Sequence, residues 1–241
     1  MADEYEGSAE FIDVMIAPAW ETAGPALTEA LRGVSGPIVD VGAGGGHGTR
    51  VIAAAAADAE ILAVEPSPGL RSVLLARVNE SAELRDRVTV LPEGLLDSEL
   101  PDRLGAVVAM SVIGHFDPAD RQRIWALLAE RLLPGGRAVL NLLPPTEAAA
   151  VPDSRFADVR LGRRRYEGRG RAEPTGPDRL TWHMTYRTYH DDRLVDELEV
   201  DYDWWVLDGQ RLKEEVNEHG LVVSRTGPEE LGMYVIDRGG A

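Results

Sequence analysis

Three groups of residues in this 241-residue chain have the types and spacing to do chemistry. The first is Asp40-Val41-Gly42-Ala43-Gly44-Gly45-Gly46-His47-Gly48-Thr49, which follows the apolar pair Ile38-Val39. A β-branched run with an acid near its end breaks into alternating glycines, and an alanine-rich helical stretch follows. Glycine adopts positive φ at little cost and lets a ligand approach the backbone. The helix start behind it offers unpaired N–H groups. The pattern predicts strand, tight turn and helix, with a nucleotide-like guest. The second group is Glu65, which closes the apolar run Ile61-Leu62-Ala63-Val64. A carboxylate there can accept a pair of hydrogen bonds from a ribose diol. The third is His115, in Met110-Ser111-Val112-Ile113-Gly114-His115-Phe116. Its imidazole can take a proton from a hydroxyl or an ammonium near neutral pH.

Spacing sorts the possible guests. A dinucleotide turn needs G-x-G-x-x-G. Counted from Gly42 the sixth position is His47, and counted from Gly44 it is Thr49, so that spacing fails twice. A phosphate loop needs Gly-Lys-Ser/Thr, and no lysine lies nearby. The pattern present, acid-x-Gly-x-Gly-x-Gly, resembles motif I of the class I S-adenosyl-L-methionine (SAM)-dependent methyltransferases.

That resemblance implies SAM as cofactor, leaving as S-adenosyl-L-homocysteine. It implies a cofactor site made of Asp40, Gly42, Ala43, Gly44, Gly46 and Thr49 around the turn, with Glu65 and Pro66 at the ribose. Glu93, Gly94 and Leu95 would lie beside the adenine, although aspartate is commoner there in the family. Met110 and Ser111 would complete the site. The segment around His115 resembles the Ser-x-Ile-Gly-His stretch of sugar N-methyltransferases from antibiotic pathways, where the matching histidine lies beside the substrate amine. His115 is therefore the candidate general base and a candidate substrate contact. Tyr5 is a second candidate substrate contact, in a segment that folds over SAM in many small-molecule members. Leu132-Leu133-Pro134-Gly135-Gly136-Arg137 resembles the family's turn before strand five.

The elements that must position these groups are legible in outline. Short Val/Ile/Leu-rich strands at Ile38–Val41, Ile61–Glu65, Val88–Leu91, Ala106–Met110 and Arg137–Leu143 alternate with helices, the pattern of a parallel sheet covered on both faces. Before them, Ser8 is expected to cap a helix through Ile16, and a second helix is expected from Pro25 to Leu31. After Pro144-Pro145 the pattern changes. A basic run (Arg160, Arg163, Arg164, Arg165, Arg169, Arg171) precedes two alternating stretches, Leu180–His190 and Leu194–Val206. The second has Leu198, Val200, Tyr202, Trp204 and Val206 on one face and Glu197, Glu199, Asp201 and Asp203 on the other, as in antiparallel strands with one solvated side. Pairing between the arginine run and this acidic ladder is expected. A helix over Gln210–His219 and a hairpin at Leu221–Ser224 and Met233–Ile236 end the chain.

The expected fold is thus α/β. By resemblance it is a Rossmann-like, seven-stranded, mostly parallel sheet with helices on both faces, its last strand antiparallel, plus an antiparallel β insertion after strand five. The expected division is a helical cap over 1–35, a SAM-binding core over 36–143, a substrate or lid insertion over 144–207 and a closing helix and hairpin over 208–241.

Composition narrows the function. Formal charge is -16, and a surface that acidic repels phosphate backbones and anionic membranes, so neither nucleic acid nor membrane is an expected partner. There is no cysteine, which excludes disulfides, thiolate metal sites and thiol nucleophiles. His183 and His190 with Asp191 or Glu197 are better explained as strand and turn residues, so no metal is expected. Trp20, Trp125, Trp182 and Trp204 are expected in the core, and Trp205, on the acidic side of its strand, is the odd aromatic. The first residues carry no basic and apolar leader, and no apolar run approaches the roughly 18 residues of a membrane span, so a cytoplasmic protein, monomer or homodimer, is expected.

The leading functional expectation is methyl transfer to oxygen or nitrogen of a small-molecule acceptor, in the setting of secondary metabolism that an Arg/Ala/Gly-rich, Lys-poor chain suggests by association. Other readings are a SAM-binding member without methyl transfer, an NAD(P)-dependent oxidoreductase, and a nucleic-acid or protein methyltransferase. The glycine spacing argues against the oxidoreductase. The charge and the lack of an N-P-P-Y-type motif after strand four argue against the last.

Overall fold

A computed structural model of the chain describes residues 5–239. Residues 1–4 of the expected cap and 240–241 of the expected closing unit lie outside the described residues. Two helices, α1 (Ala9–Ile16) and α2 (Ala19–Ala30), precede strand β1 (Ile38–Val41) and helix α3 (His47–Ala55). Strand β2 (Ile61–Val64), helices α4 (Pro68–Glu80) and α5 (Ala82–Arg87), and strands β3 (Val88–Leu91) and β4 (Leu104–Ala109) follow. Helix α6 (Pro118–Arg131) leads into β5 (Leu132–Asn141). Four long strands come next: β6 (Val151–Leu161), β7 (Arg164–Pro174), β8 (Arg179–His190) and β9 (Arg193–Trp205). Helix α7 (Gly209–Asn217) and strands β10 (Val222–Thr226) and β11 (Met233–Asp237) close the chain.

The main sheet has seven strands in the order β3-β2-β1-β4-β5-β11-β10. Strands β1 to β5 pair in parallel, and β11 is antiparallel to both β5 and β10. A dinucleotide-binding sheet carries its sixth strand parallel beside the fifth, so the strand order separates this fold from the oxidoreductase alternative. Along β1, side chains alternate between faces. Val39 and Val41 pack into the core under α6 and α7, whereas Ile38 packs on the side of α2 and α3. Asp40 shares the parity of Ile38, and a hydroxyl of α3 meets it there.

Several elements differ from expectation. Ser8 precedes α1, yet its side chain caps no helix N–H. The second helix begins at Ala19, with Pro25 inside it rather than at its start. Helix α5 is additional; Ser81 caps it by accepting from Leu84 N–H. The expected turn at Pro134-Gly135-Gly136 survives as a bulge. The β4–β5 ladder jumps from Leu104–Leu132 to Ala106–Arg137, with Gly135 at φ 78 in the loop thrown out between them.

Strands β6-β7-β8-β9 form a separate antiparallel sheet in sequence order. The expected pairing of the arginine run with the acidic ladder is correct in kind and wrong in partner, because β8 lies between the two. The ladder on β9 is met from β8: Arg187 bonds Glu197 at 2.6 Å, His183 bonds Asp201 at 2.8 Å, and Arg179 bonds Asp203. The run on β7 turns instead to β6 and its own strand, Arg169 to Asp153 and Arg165 to Glu167 and Asp158. Trp205 is explained by Arg179, whose guanidinium carbon lies 5.5 Å from its ring centroid, a cation–π distance. His190 sits 3.4 Å from Asp191. Among the described residues, no helix is long and apolar enough to cross a membrane.

Candidate active site

The loop between β1 and α3 has Gly42, Gly44 and Gly46 at φ 62, 57 and 91, a left-handed path that side-chain-bearing residues rarely follow. What surrounds each glycine differs. A Cβ on Gly42 would overlap Val112, one on Gly46 would lie 2.7 Å from Leu74 Cδ1, and one on Gly48 would lie 2.9 Å from Trp20. A Cβ on Gly45 would overlap the Asp13 carboxylate. Gly44 alone of these five faces open space, its nearest neighbour being the Gly42 carbonyl at 4.0 Å. The turn is packed on every side but one, and the open side is at Gly44.

Two acids hold the turn, one at that opening and one beneath it. Glu65, at the end of β2 and 4% exposed, accepts from Gly44 N–H at 2.7 Å and from Ser67 N–H at 2.8 Å. Its backbone carbonyl and that of the exposed Pro66 accept from Arg71 at 2.8 and 2.9 Å, which fixes the strand end. Asp40 is fully enclosed and accepts from Thr49 Oγ1 at 2.6 Å. Burial pushes its pKa up to about 7, against the Thr49 hydrogen bond and with the help of the Glu65 charge. Asp40 and Thr49 are thus spent on each other beneath the turn. Ala43 and Met110 belong by their side chains to the core around α2 and α3. After β3, Glu93 is exposed, the Gly94 carbonyl accepts from Asp97 N–H and Ser98 Oγ, and the Leu95 side chain is in the core.

The segment after β4 closes over the turn. Ser111 has φ 60, and its N–H donates to Oδ1 of buried Asn141 at 2.5 Å. Val112 packs on Gly42, and Ile113–His115 make one 3-10 turn. His115 Nε2 lies 2.6 Å from Tyr5 Oη, which comes from the chain just before α1. The His115 ring is 4.9 Å from Trp204 and 6.0 Å from Tyr202, both on the inner face of β9. A Cβ on Gly114 would overlap the Trp204 indole, so the absence of a side chain there is what lets the ring approach. Behind this turn Arg121 of α6 donates to the Phe116 carbonyl at 3.2 Å and grips Glu215 of α7 at 3.0 and 2.8 Å, and Trp125 Nε1 donates to the same carboxylate at 2.9 Å.

The structure therefore gathers Gly42, Gly44, Gly46 and Glu65 in one place and His115 with Tyr5 next to it, joined through the Gly42–Val112 contact. Trp204, expected as core, is buried and also a wall beside His115. Asp13, Arg77, Asn141 and Tyr202 are additional. For Tyr202 the alternation of β9 was a usable signal. For Asp13 and Asn141 no local pattern distinguishes them from ordinary helix and strand-end residues.

Residues 39–138, from β1 into β5, match the family model described as "Methyltransferase domain". No curated protein matches the chain in sequence. Solved structures share its fold. The amino pentose methyltransferase CalS10 of Micromonospora echinaspora, from calicheamicin biosynthesis and solved with SAM bound, is 17% identical with a TM-score of 0.70, over 91% of this chain and 90% of that one. DesVI of Streptomyces venezuelae is 19% identical with a TM-score of 0.68, over 98% and 92%. The sugar N-methyltransferase KedS8 of Streptoalloteichus is 18% identical with a TM-score of 0.65, over 88% and 83%. At such identities the likeness is one of fold.

Proposed function

We propose that this protein is a SAM-dependent methyltransferase acting on oxygen or nitrogen of a small-molecule acceptor. The observation that carries the reading is the juxtaposition of a left-handed glycine turn, open at Gly44 beside Glu65, with the Tyr5–His115 pair seated on the same turn through Val112. The site suits the cofactor because room exists where a ligand must approach backbone and a carboxylate stands at the strand end where a ribose needs an acceptor. Gly42, Gly44 and Gly46 would face the methionine part, Glu65 the ribose, and Glu93 with the Gly94–Leu95 backbone the adenine. Asp40 and Thr49 would hold the turn from beneath. When bound, SAM supplies a methyl carbon already activated by its sulfonium.

The chain's own residues then have three tasks. The cluster of Tyr5, His115, Tyr202 and Trp204 excludes water and orients the acceptor, and orientation of this kind supplies most of the acceleration available to a displacement. His115 takes the proton that a hydroxyl or ammonium acceptor must lose, and Tyr5 holds the imidazole in position. Strands β6–β9 supply the inner aromatic wall and so the acceptor specificity. Titration calorimetry with S-adenosyl-L-homocysteine tests the cofactor. Incubation of the protein with methyl-labelled SAM and small-molecule extracts, followed by mass analysis, tests the transfer. Tight binding with no labelled product from any fraction would leave a SAM-binding protein without transferase activity.

A further inference from the structure

Helix α1 touches the glycine turn directly. Asp13, on α1, faces Arg77, on α4, with Nη1 and Nη2 of the guanidinium each 3.0 Å from one carboxylate oxygen, the bidentate geometry of a strong ion pair. The same Nη1 also donates to the Gly45 carbonyl. His47, the first residue of α3, brings Nε2 to 3.2 Å from Asp13 Oδ1. The three side chains are only 16–20% exposed, which sets the pair apart from a solvated surface contact. Burial opposes the Asp13 charge, yet the Arg77 fork and the nearby His47 ring hold its carboxyl well below the usual range. The glycine at 45 answers to this contact: its φ is not left-handed, so the backbone would accept a side chain, but a Cβ would overlap the Asp13 carboxylate. Gly69 makes similar room at the start of α4, where a Cβ would lie 2.7 Å from Ala9 of α1.

We propose that Asp13 and Arg77 are positioning residues for the cofactor: they clamp the Gly45 peptide, hold the glycine turn in the shape the cofactor meets, and tie it to the segment that delivers Tyr5 to His115. The inference rests on the cofactor reading above. A loop of left-handed glycines has large conformational freedom when it is not held. A site that is receptive only part of the time binds with its affinity reduced by that fraction. The clamp raises the receptive fraction without touching the ligand.

Amide exchange over residues 42–48 in the ligand-free protein, and calorimetric Kd for S-adenosyl-L-homocysteine, test this on wild type, Asp13→Asn and Arg77→Lys, with unfolding midpoints measured alongside. For Asp13→Asn the exchange rate and the Kd both rise about tenfold, the effect of a turn receptive roughly a tenth of the time. Arg77→Lys, which keeps the charge but loses the fork, gives a smaller rise in both. Gly45→Ala weakens binding in the wild-type background and costs less when added to Asp13→Ala, because the overlap with the carboxylate is gone and only Arg77 Nη1, at 3.0 Å, remains close. Folded variants whose Kd stays within about twofold of wild type overturn the proposal even if their midpoints fall, since a merely structural ion pair behaves that way. No heat with wild-type protein refutes the cofactor reading itself, whereas wild-type binding with unchanged variants refutes the clamp alone.

Discussion

The Tyr5 hydroxyl lies 2.6 Å from His115 Nε2, across 110 residues of sequence. This contact joins the segment before α1 to the turn after β4, and the rings of Tyr202 and Trp204 gather around it. If His115 is the base, His115→Ala lowers kcat by roughly 10²–10⁴-fold. Cofactor Kd changes little in the same variant. Tyr5→Phe keeps the ring and loses the hydroxyl that holds the imidazole, so its kcat falls less. Steady-state kinetics with calorimetry on each variant separates the two effects. An unchanged kcat in His115→Ala means that proximity alone drives the reaction.

The glycines of the turn are not equivalent. Gly44→Ala meets open space and suffers only the left-handed backbone, a cost of roughly 1–2 kcal/mol. Gly42→Ala suffers that cost and also drives a methyl into Val112, adding roughly 1–3 kcal/mol of overpacking. Gly42→Ala should therefore be the less stable protein by chemical denaturation. It should also lose kcat, because Val112 belongs to the turn that carries His115. In Gly44→Ala the larger loss is in cofactor affinity.

Arg121 is fully buried and bound to Glu215, so removing Glu215 strands the arginine charge, whereas Glu215 also faces Arg211 at 3.3 Å. Glu215→Ala should destabilise the fold by roughly 3–5 kcal/mol in urea melts, the range for breaking a buried ion pair, and Arg121→Met by less, because Arg211 and Trp125 still face the carboxylate. Arg121 also holds the Phe116 carbonyl, so Arg121→Met should lower kcat at temperatures where the protein is still folded. A stability loss without a kcat loss would detach this network from the site.

Two enclosed carboxylates give stability opposite slopes with pH. Burial raises Asp40, to about 7, so its share of stability is full below its ordinary pKa of 3.8 and is lost as pH climbs through about 7. Burial works against the Glu215 charge too, but hydrogen bonds from Arg121 and Trp125 win and lower its pKa. Its contribution is present above its ordinary 4.5 and is lost as pH falls through the lowered value. Asp40→Asn, which can still accept from Thr49, should raise the unfolding midpoint at pH 8 and have little effect at pH 4. Thermal melts at the two pH values check the sign.

The strand–helix alternation, the glycine turn, the acid at the end of β2 and the histidine after β4 are all legible from the chain alone, because each is a local matter. Period-two apolar runs make strands, left-handed turns favour glycine, and ligands gather where parallel strands end. The alternation of β9 likewise marks Tyr202 and Trp204 as one face. Local pattern does not say what that face meets, and the arginine run illustrates the limit: its charges could be matched to the acidic ladder by composition, yet strand order set β8 between them. Tertiary structure alone decided that Tyr5 reaches His115, that Trp204 is a wall rather than only core, and that Arg77 meets both Asp13, 64 residues away, and the Gly45 carbonyl. Such meetings depend on how whole layers cross, and no propensity of a single residue encodes the partner it will face once distant elements have packed.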